Sequence, residues 1–351
     1  MDAFFVSVEL RRRPDLRGRP VVVATGTDPN ERGVVMAASY EARRFGVHSA
    51  LPLTIAHRKC PDAVLLPRDM ALYSEVSGHV MAIIRRHSDT VEVAGLDEAY
   101  VDLTGQLLPK SACRRLKHEV REETGLVCSI GLAPNKLLAK IASDLDKPDG
   151  FCVLRAEDML ERVGDRPASL IPGVGPKTFE RLRRARIETV AELACAPEDL
   201  LARTLGPRLG SELQRKANGR DERQVQTSRE RKSESCETTF ARDVADRDTL
   251  IETLDRLTDR VCERLASHRI RGRTVTLKIR LRPFRTYTRS LTLETPTCDP
   301  ELVRATAHEL LGRVELDTPV RLLGVGLHGL ERDASAPDEP EGEDGRLFAL
   351  A

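Results

Sequence analysis

Residues 90–104, "TVEVAGLDEAYVDLT", read as two extended arms around a Gly95-Leu96-Asp97-Glu98 centre. Valine and tyrosine on both arms with glycine between them are the signature of a β-hairpin. Neighbouring carboxylates on a regular strand point to opposite faces, so Asp97 and Glu98 can serve one site only where a tight turn twists the backbone. Hard cations such as Mg²⁺ take carboxylate oxygens, and two such ions ~4 Å apart organise in-line phosphoryl displacement. An acidic pair on a small sheet therefore points to nucleotidyl transfer, against the plainer alternative of a solvated turn.

Outward from the hairpin, Leu72, Val76, Val80, Ile83 and Ile84 recur at helical spacing and predict a helix over 70–86. Downstream, the pattern predicts a helix over 110–124, a strand over 127–131 and a helix over 135–144. The opening "MDAFFVSVE" (1–9) has the aromatic and β-branched content of a core strand. With that strand the order predicts an α+β fold, a ferredoxin-like antiparallel sheet carrying helices on one face. A small inserted module carries strands over 21–24 and 33–37 and a short helix closing near Gly46.

Residues 165–220 read as a separate module of short helices, punctuated by "IPGVGPKT" (171–178) and "TLGPRLG" (204–210). The charged stretch "NGRDERQVQTSRERKSES" (218–235) marks a linker. Beyond it, strand, helix, two strands, helix and strand over 236–327 predict a second ferredoxin-like arrangement. The end, "APDEPEGEDGRLFALA" (336–351), is disordered by composition until its apolar tip.

No apolar run approaches the ~20 residues of a membrane span, so a soluble, cytoplasmic protein is expected. Eight cysteines are scattered singly without a C-x-x-C pair, which argues against a disulfide framework or a zinc site. The formal net charge of +1 hides an acidic tail: residues 331–351 carry seven acids against two arginines. Arg264 to Arg289 holds nine Arg or Lys and no acid, which suits a polyanion such as nucleic acid.

Other residues add to the acidic pair. Tyr40 and Arg43 are three apart, on one helix face with Arg44 beside them, and could grip a triphosphate. "NKLLAKIASDLDKPDG" (135–150) supplies Lys136, Lys140 and Lys147, the last set before Pro148, where the chain must turn. In "IPGVGPKT", Gly173 and Gly175 allow backbone N–H groups to approach a phosphate, while Lys177 adds charge. In "TVTLKIRLR" (274–282) Val275, Leu277, Ile279 and Leu281 alternate with Thr276, Lys278, Arg280 and Arg282, giving a core face and a cationic row suited to a phosphate backbone.

These segments, with "SYEARRFGV" (39–47) and "LLGVGL" (322–327), resemble in order and spacing the motifs of Y-family translesion DNA polymerases, in the branch that holds DNA polymerase IV. The resemblance runs from Met1 to about Leu330. It implies a right-hand polymerase: a palm over 1–10 and 68–164, fingers over 11–67, a helix-hairpin-helix thumb over 165–228 and a little finger over 229–331, followed by a disordered acidic tail over 332–351. It implies Asp97 as a metal ligand, Glu98 as the second catalytic acid, and two Mg²⁺ ions. Phe5 is implied as the steric gate against a 2′-hydroxyl, and Tyr40, Arg43 and Lys147 as triphosphate contacts. The expected activity is error-prone synthesis on damaged templates without proofreading, by a monomer whose partners are primer-template DNA and dNTPs. The "RLFAL" tip weakly resembles a sliding-clamp peptide.

One family feature is not met. The family's first-strand acid stands two residues before the position of Asp2, ahead of Met1, leaving only the Met1 backbone carbonyl in that neighbourhood as a metal donor. The expectation is a chain that continues upstream, with severely reduced catalysis as written. A catalytically impaired DNA- or clamp-binding paralogue is the competing reading.

Overall fold

The computed structural model describes residues 1–228 and 230–332, which fall in two compact units, Met1–Ser228 and Arg229–Ala351. The acidic tail with its "RLFAL" tip lies outside the described residues.

The first unit opens on a helix, α1 (Phe4–Arg12), where the sequence predicted a strand. Phe4, Val6 and Val8 alternate with less buried residues, which is why the segment reads as β. Tertiary packing overrides that propensity. Ala3 takes a left-handed conformation that starts the helix, and Glu9, one turn beyond Phe5, is buried beneath the Tyr73 hydroxyl, which donates to it at 2.9 Å. Arg11 and Arg12 in the last turn complement the helix dipole.

Next come β1 (Val21–Ala24), β2 (Val35–Ala38), α2 (Tyr40–Arg43), α3 (Leu53–Lys59) and β3 (Val64–Pro67). They form a three-stranded sheet, β2 antiparallel and β3 parallel to β1, over a core of Val22, Ala24, Val35 and Leu53. Gly46 has φ +75°, as a left-handed cap requires.

The chain continues through α4 (Met70–Arg85), β4 (Val91–Val93), β5 (Ala99–Val101), α5 (Pro109–Thr124), β6 (Ile130–Leu132), α6 (Lys136–Leu145) and β7 (Phe151–Val153). β4 and β5 form the expected hairpin, with Val91 opposite Val101, and β6 pairs in parallel with β7. Among the described residues β5 and β6 are each paired on one side only. A cavity of about 500 Å³ lies between them, lined by Met1, Ala99, Val101, Cys113, Ile130 and Leu132.

Five further helices follow: α7 (Met159–Val163), α8 (Pro176–Arg184), α9 (Val190–Cys195), α10 (Glu198–Leu205) and α11 (Pro207–Ala217). Leu182, Leu193, Leu201 and Leu213 share one core with Leu137, Leu138 and Ile141 of α6, so this stretch is not packed separately. Nor is all of 218–235 free linker. Asn135 donates to the Gly219 carbonyl, Asp221 accepts from the Leu137 N–H at 3.0 Å, and Glu92 accepts from the Gln226 N–H at 2.8 Å. Asp221 and Gln226, polar residues that look solvated in sequence, find partners 84 and 134 positions away.

The second unit follows the predicted order: β8 (Ser233–Val244), α12 (Arg247–Ser267), β9 (Ile270–Leu281), β10 (Arg285–Thr297), α13 (Pro300–Gly312) and β11 (Val320–Arg332). The strands are antiparallel in the order β10-β9-β11-β8. Leu254, Val261 and Leu310 from the helices join Leu277, Ile279 and Leu323 from the sheet in one core. Among the described residues no helix is long and apolar enough to cross a membrane.

Candidate active site

The β4–β5 turn is closed by two backbone bonds, from the Ala94 and Gly95 N–H groups to the Glu98 carbonyl, at 2.9 and 3.1 Å. Ser77 on α4 anchors the tip by donating to the Leu96 carbonyl. Asp97 is partly buried and Glu98 exposed, both on the wall of the 500 Å³ cavity, which Lys140 and Lys147 also line. The Met1 ammonium donates to the Asp97 carbonyl at 2.6 Å. Burial pushes the Asp97 carboxyl above its usual range; the Met1 ammonium opposes the shift, Glu98 adds to it, and Lys140 and Lys147 oppose it.

Opposite the acids stands a basic group. Lys140 donates to Glu98 and lies 3.6 Å from Asp144. Lys147 lies 2.6 Å from Asp144. On α2, Ser39 caps the helix by accepting from the Ala42 N–H, and it also accepts from the Val21 N–H. That cap fixes the face bearing Tyr40 and Arg43, whose guanidinium lies 4.8 Å over the Tyr40 ring and donates to the Ala38 carbonyl. The Tyr40 hydroxyl is buried without a hydrogen-bond partner. Desolvation raises its pKa, Asp2 adds to the rise, Arg43 opposes it and Asp144 adds again, so α2 and the lysine segment share one electrostatic neighbourhood.

Phe5 stacks on Tyr73 with ring centroids 4.3 Å apart and an interplanar angle of 14°. The sequence thus brings Asp97, Glu98, Lys140 and Lys147 to one cavity wall. Lys136 is used differently: it is buried against Glu92 and lies 4.9 Å from the Tyr100 ring centroid. The sequence motifs assign no role to Asp144, Ser39 or Ser129. Asp144 stands three residues before Lys147 and Ser39 three residues before the Ala42 N–H that it caps, so both have a local signal; Ser129 has none, because its partners are Asp2 and Gly150.

Among the described residues no group of three or more His, Cys, Asp or Glu side chains converges to hold a metal ion. Asp97 and Glu98 offer two hard carboxylates, and burial raises the Asp97 pKa, a shift that a bound cation would oppose. This donor set fits one Mg²⁺, which is commonly bound by one or two carboxylates with phosphate and water oxygens completing the shell.

The nucleic-acid candidates lie on other elements. Gly173 has φ +105°, and Gly175 precedes the first turn of α8, with Lys177 exposed one residue into it. A Cβ at Gly173 would sit 3.4 Å from Leu213 and in strained backbone, so the turn needs glycine there. In the second unit Val275, Leu277, Ile279 and Leu281 are wholly buried, as the alternation predicts. Lys278 pairs with Glu237 at 2.6 Å, Arg280 donates to Thr286, and Arg282 lies just past the end of β9, 3.9 Å from Asp243.

A carboxylate-bearing hairpin beside Lys140 and Lys147, a glycine-containing helix turn and an antiparallel sheet with a cationic row suit the class of proteins that transfer nucleotidyl groups. Comparison with known proteins narrows it. Residues 1–144 match the impB/mucB/samB family, residues 231–339 its C-terminal domain, and residues 169–221 the thumb domain of DNA polymerase-iota. The chain is 46% identical to DNA polymerase IV of Methanoculleus marisnigri, over 94% of this chain and 93% of that one. It is 45% identical to DNA polymerase IV of Alkalilimnicola ehrlichii, with the same coverage. A solved Y-family polymerase chimera of Dbh and Dpo4 superposes with a TM-score of 0.83 at 25% identity, covering 95% of this chain and 98% of that one. The chain belongs to the Y family of DNA polymerases, in its DNA polymerase IV branch. Its activity is DNA-directed DNA synthesis of the translesion class.

Proposed function

We propose that Asp97 and Glu98 hold Mg²⁺ at the primer terminus, that Tyr40, Arg43 and Lys147 receive the triphosphate of a dNTP, and that Phe5 excludes ribonucleotides. When bound, the ion supplies charge stabilisation at the phosphoryl oxygens. The observation that carries this reading is the Tyr40 hydroxyl, a buried donor without a partner beside a guanidinium. Buried polar groups are normally satisfied, so an orphan beside a basic group suits an anionic ligand. Lys147 is held by Asp144 and can exchange it for phosphate. Phe5 can present only its free face to a sugar, since Tyr73 covers the other.

Gly173, Gly175 and Lys177 are proposed to grip one phosphate backbone, and Lys278, Arg280 and Arg282 another. These contacts ignore base sequence, which suits a polymerase that copies any template. In this reading residues 11–67 act as fingers, 1–10 and 68–164 as palm, 165–228 as thumb and 229–331 as little finger. The enzyme works as a cytoplasmic monomer without proofreading, and "RLFAL" engages a sliding clamp. Primer extension with single dNTPs tests the core of the reading: Tyr40→Phe should raise the KM for dNTP with DNA affinity unchanged, and an unchanged KM would remove Tyr40 from the site.

A further inference from the structure

We propose that Asp2 is a positioning residue for Lys147: its buried carboxylate fixes the turn that presents the lysine, and thereby sets triphosphate affinity without touching the nucleotide. This deepens, and rests on, the reading of Lys147 as a phosphate ligand.

Asp2 is 2% exposed. One carboxylate oxygen accepts from the Asp149 N–H at 2.8 Å, and both accept from the Ser129 hydroxyl at 2.9 Å. Ser129 in turn accepts from the Gly150 N–H at 3.1 Å. Two successive backbone donors of the turn that follows Lys147 are thus bound by one acid–hydroxyl pair. A buried carboxylate is tolerated only where it is well hydrogen-bonded, and all these side-chain bonds are directed at Ser129 and the turn.

The turn needs such an anchor. Asp149 has φ +57°, a left-handed conformation that few residues other than glycine adopt. Gly150 cannot carry a side chain, since a Cβ would stand 2.4 Å from the Asp146 carbonyl oxygen. From the other side the Asp149 carboxylate binds Lys117 and Arg121 of α5, and Lys117 also donates to the Cys128 carbonyl. The unusual backbone is therefore fixed by its surroundings, as expected at a binding site.

Asp2 is itself held. Its N–H donates to the Val127 carbonyl at 3.1 Å, and its carbonyl accepts from the Ser7 hydroxyl of α1 at 2.7 Å. It stands three residues before Phe5, so one residue ties the gate-bearing helix to a turn 147 positions away. Without the anchor, Lys147 would sample geometries that miss the phosphate, and affinity would fall with the fraction of competent turns.

The test is equilibrium binding of the complementary dNTP to the full chain on a dideoxy-terminated primer-template, for Asp2→Ala, Asp2→Asn, Lys147→Ala and the double variant Asp2→Ala/Lys147→Ala. The expected result is a loss of about tenfold, ~1.4 kcal/mol, for Asp2→Ala. Asp2→Asn, which keeps one accepting oxygen, should lose less. The double variant should bind no more weakly than Lys147→Ala, because residues acting through one another are not additive. Parent-like binding by Asp2→Ala beside a weakened Lys147→Ala, or an additive double variant, overturns the proposal alone. Parent-like binding by Lys147→Ala overturns the reading of Lys147 and the proposal with it. Should Asp2→Ala fail to fold, Asp2→Asn and Ser129→Ala carry the same cycle with the same outcomes.

Discussion

The ring of Phe5 lies flat on Tyr73, 4.3 Å between centroids, while the Tyr73 hydroxyl donates to Glu9 one turn further along the helix that carries Phe5. The candidate gate is therefore clamped from behind by a wholly buried tyrosine, whose own proton is held by burial first and by Glu9 second. A gate selects by clash only if it cannot yield, and this ring has a fixed back wall.

Replacing the ring should open the gate. Phe5→Val is expected to raise ribonucleotide incorporation relative to deoxynucleotide by at least about tenfold, on the scale at which pocket shape discriminates. The ratio of kcat/KM for paired rNTP and dNTP measures it, and an unchanged ratio would take Phe5 out of the sugar site.

Tyr73→Phe should destabilise the protein by ~1–3 kcal/mol, because it leaves the buried Glu9 carboxylate without its donor. Chemical denaturation reads the loss. A Tyr73→Phe/Glu9→Leu pair, which removes both polar ends, should recover much of it.

Asp97→Ala and Glu98→Ala should each cut primer extension by roughly a thousandfold or more, the several kcal/mol that a metal-organising carboxylate supplies. Primer-template affinity should stay within about twofold. Retained extension in both variants would mean that the hairpin acids do not carry the chemistry.

The DNA contacts are separable by salt. Lys177→Ala and Arg280→Ala should each weaken binding across all template sequences and lower the slope of log affinity against log salt by about 1. Lys278 already has Glu237 as a partner at 2.6 Å, so Lys278→Ala should change the slope less. Fluorescence anisotropy across a salt series distinguishes the three.

Glu92 supplies a pH signature of the pinned 219–226 segment. Burial raises its pKa, but Lys136, the Gln226 N–H and Arg223 outweigh burial and leave it below the usual glutamate value. A depressed folded pKa stabilises above the unfolded value of ~4.3 and loses that stabilisation as pH falls through the folded one. Glu92→Gln should therefore be less stable than the parent at neutral pH by about 1–3 kcal/mol, with the gap closing as pH drops below ~4. A gap that persists in acid would mean that the charge is not what pins the segment.

The sequence by itself determined those features whose cause is local. The hairpin and its acids follow from glycine between β-rich arms, the long helix of 70–85 from apolar spacing, and the buried face of β9 from strict alternation. Gly173 was legible as a turn residue from the Pro-Gly-x-Gly spacing, and its φ of +105° agrees. Tertiary structure decided the rest. It made the opening segment a helix, since Glu9 can be buried only where Tyr73 meets it. It pinned Asp221 and Gln226 of the supposed linker, and it turned Asp2 toward Ser129 and Asp149. A carboxylate's role depends on which donors fold around it, and donors more than a hundred residues away leave no local trace.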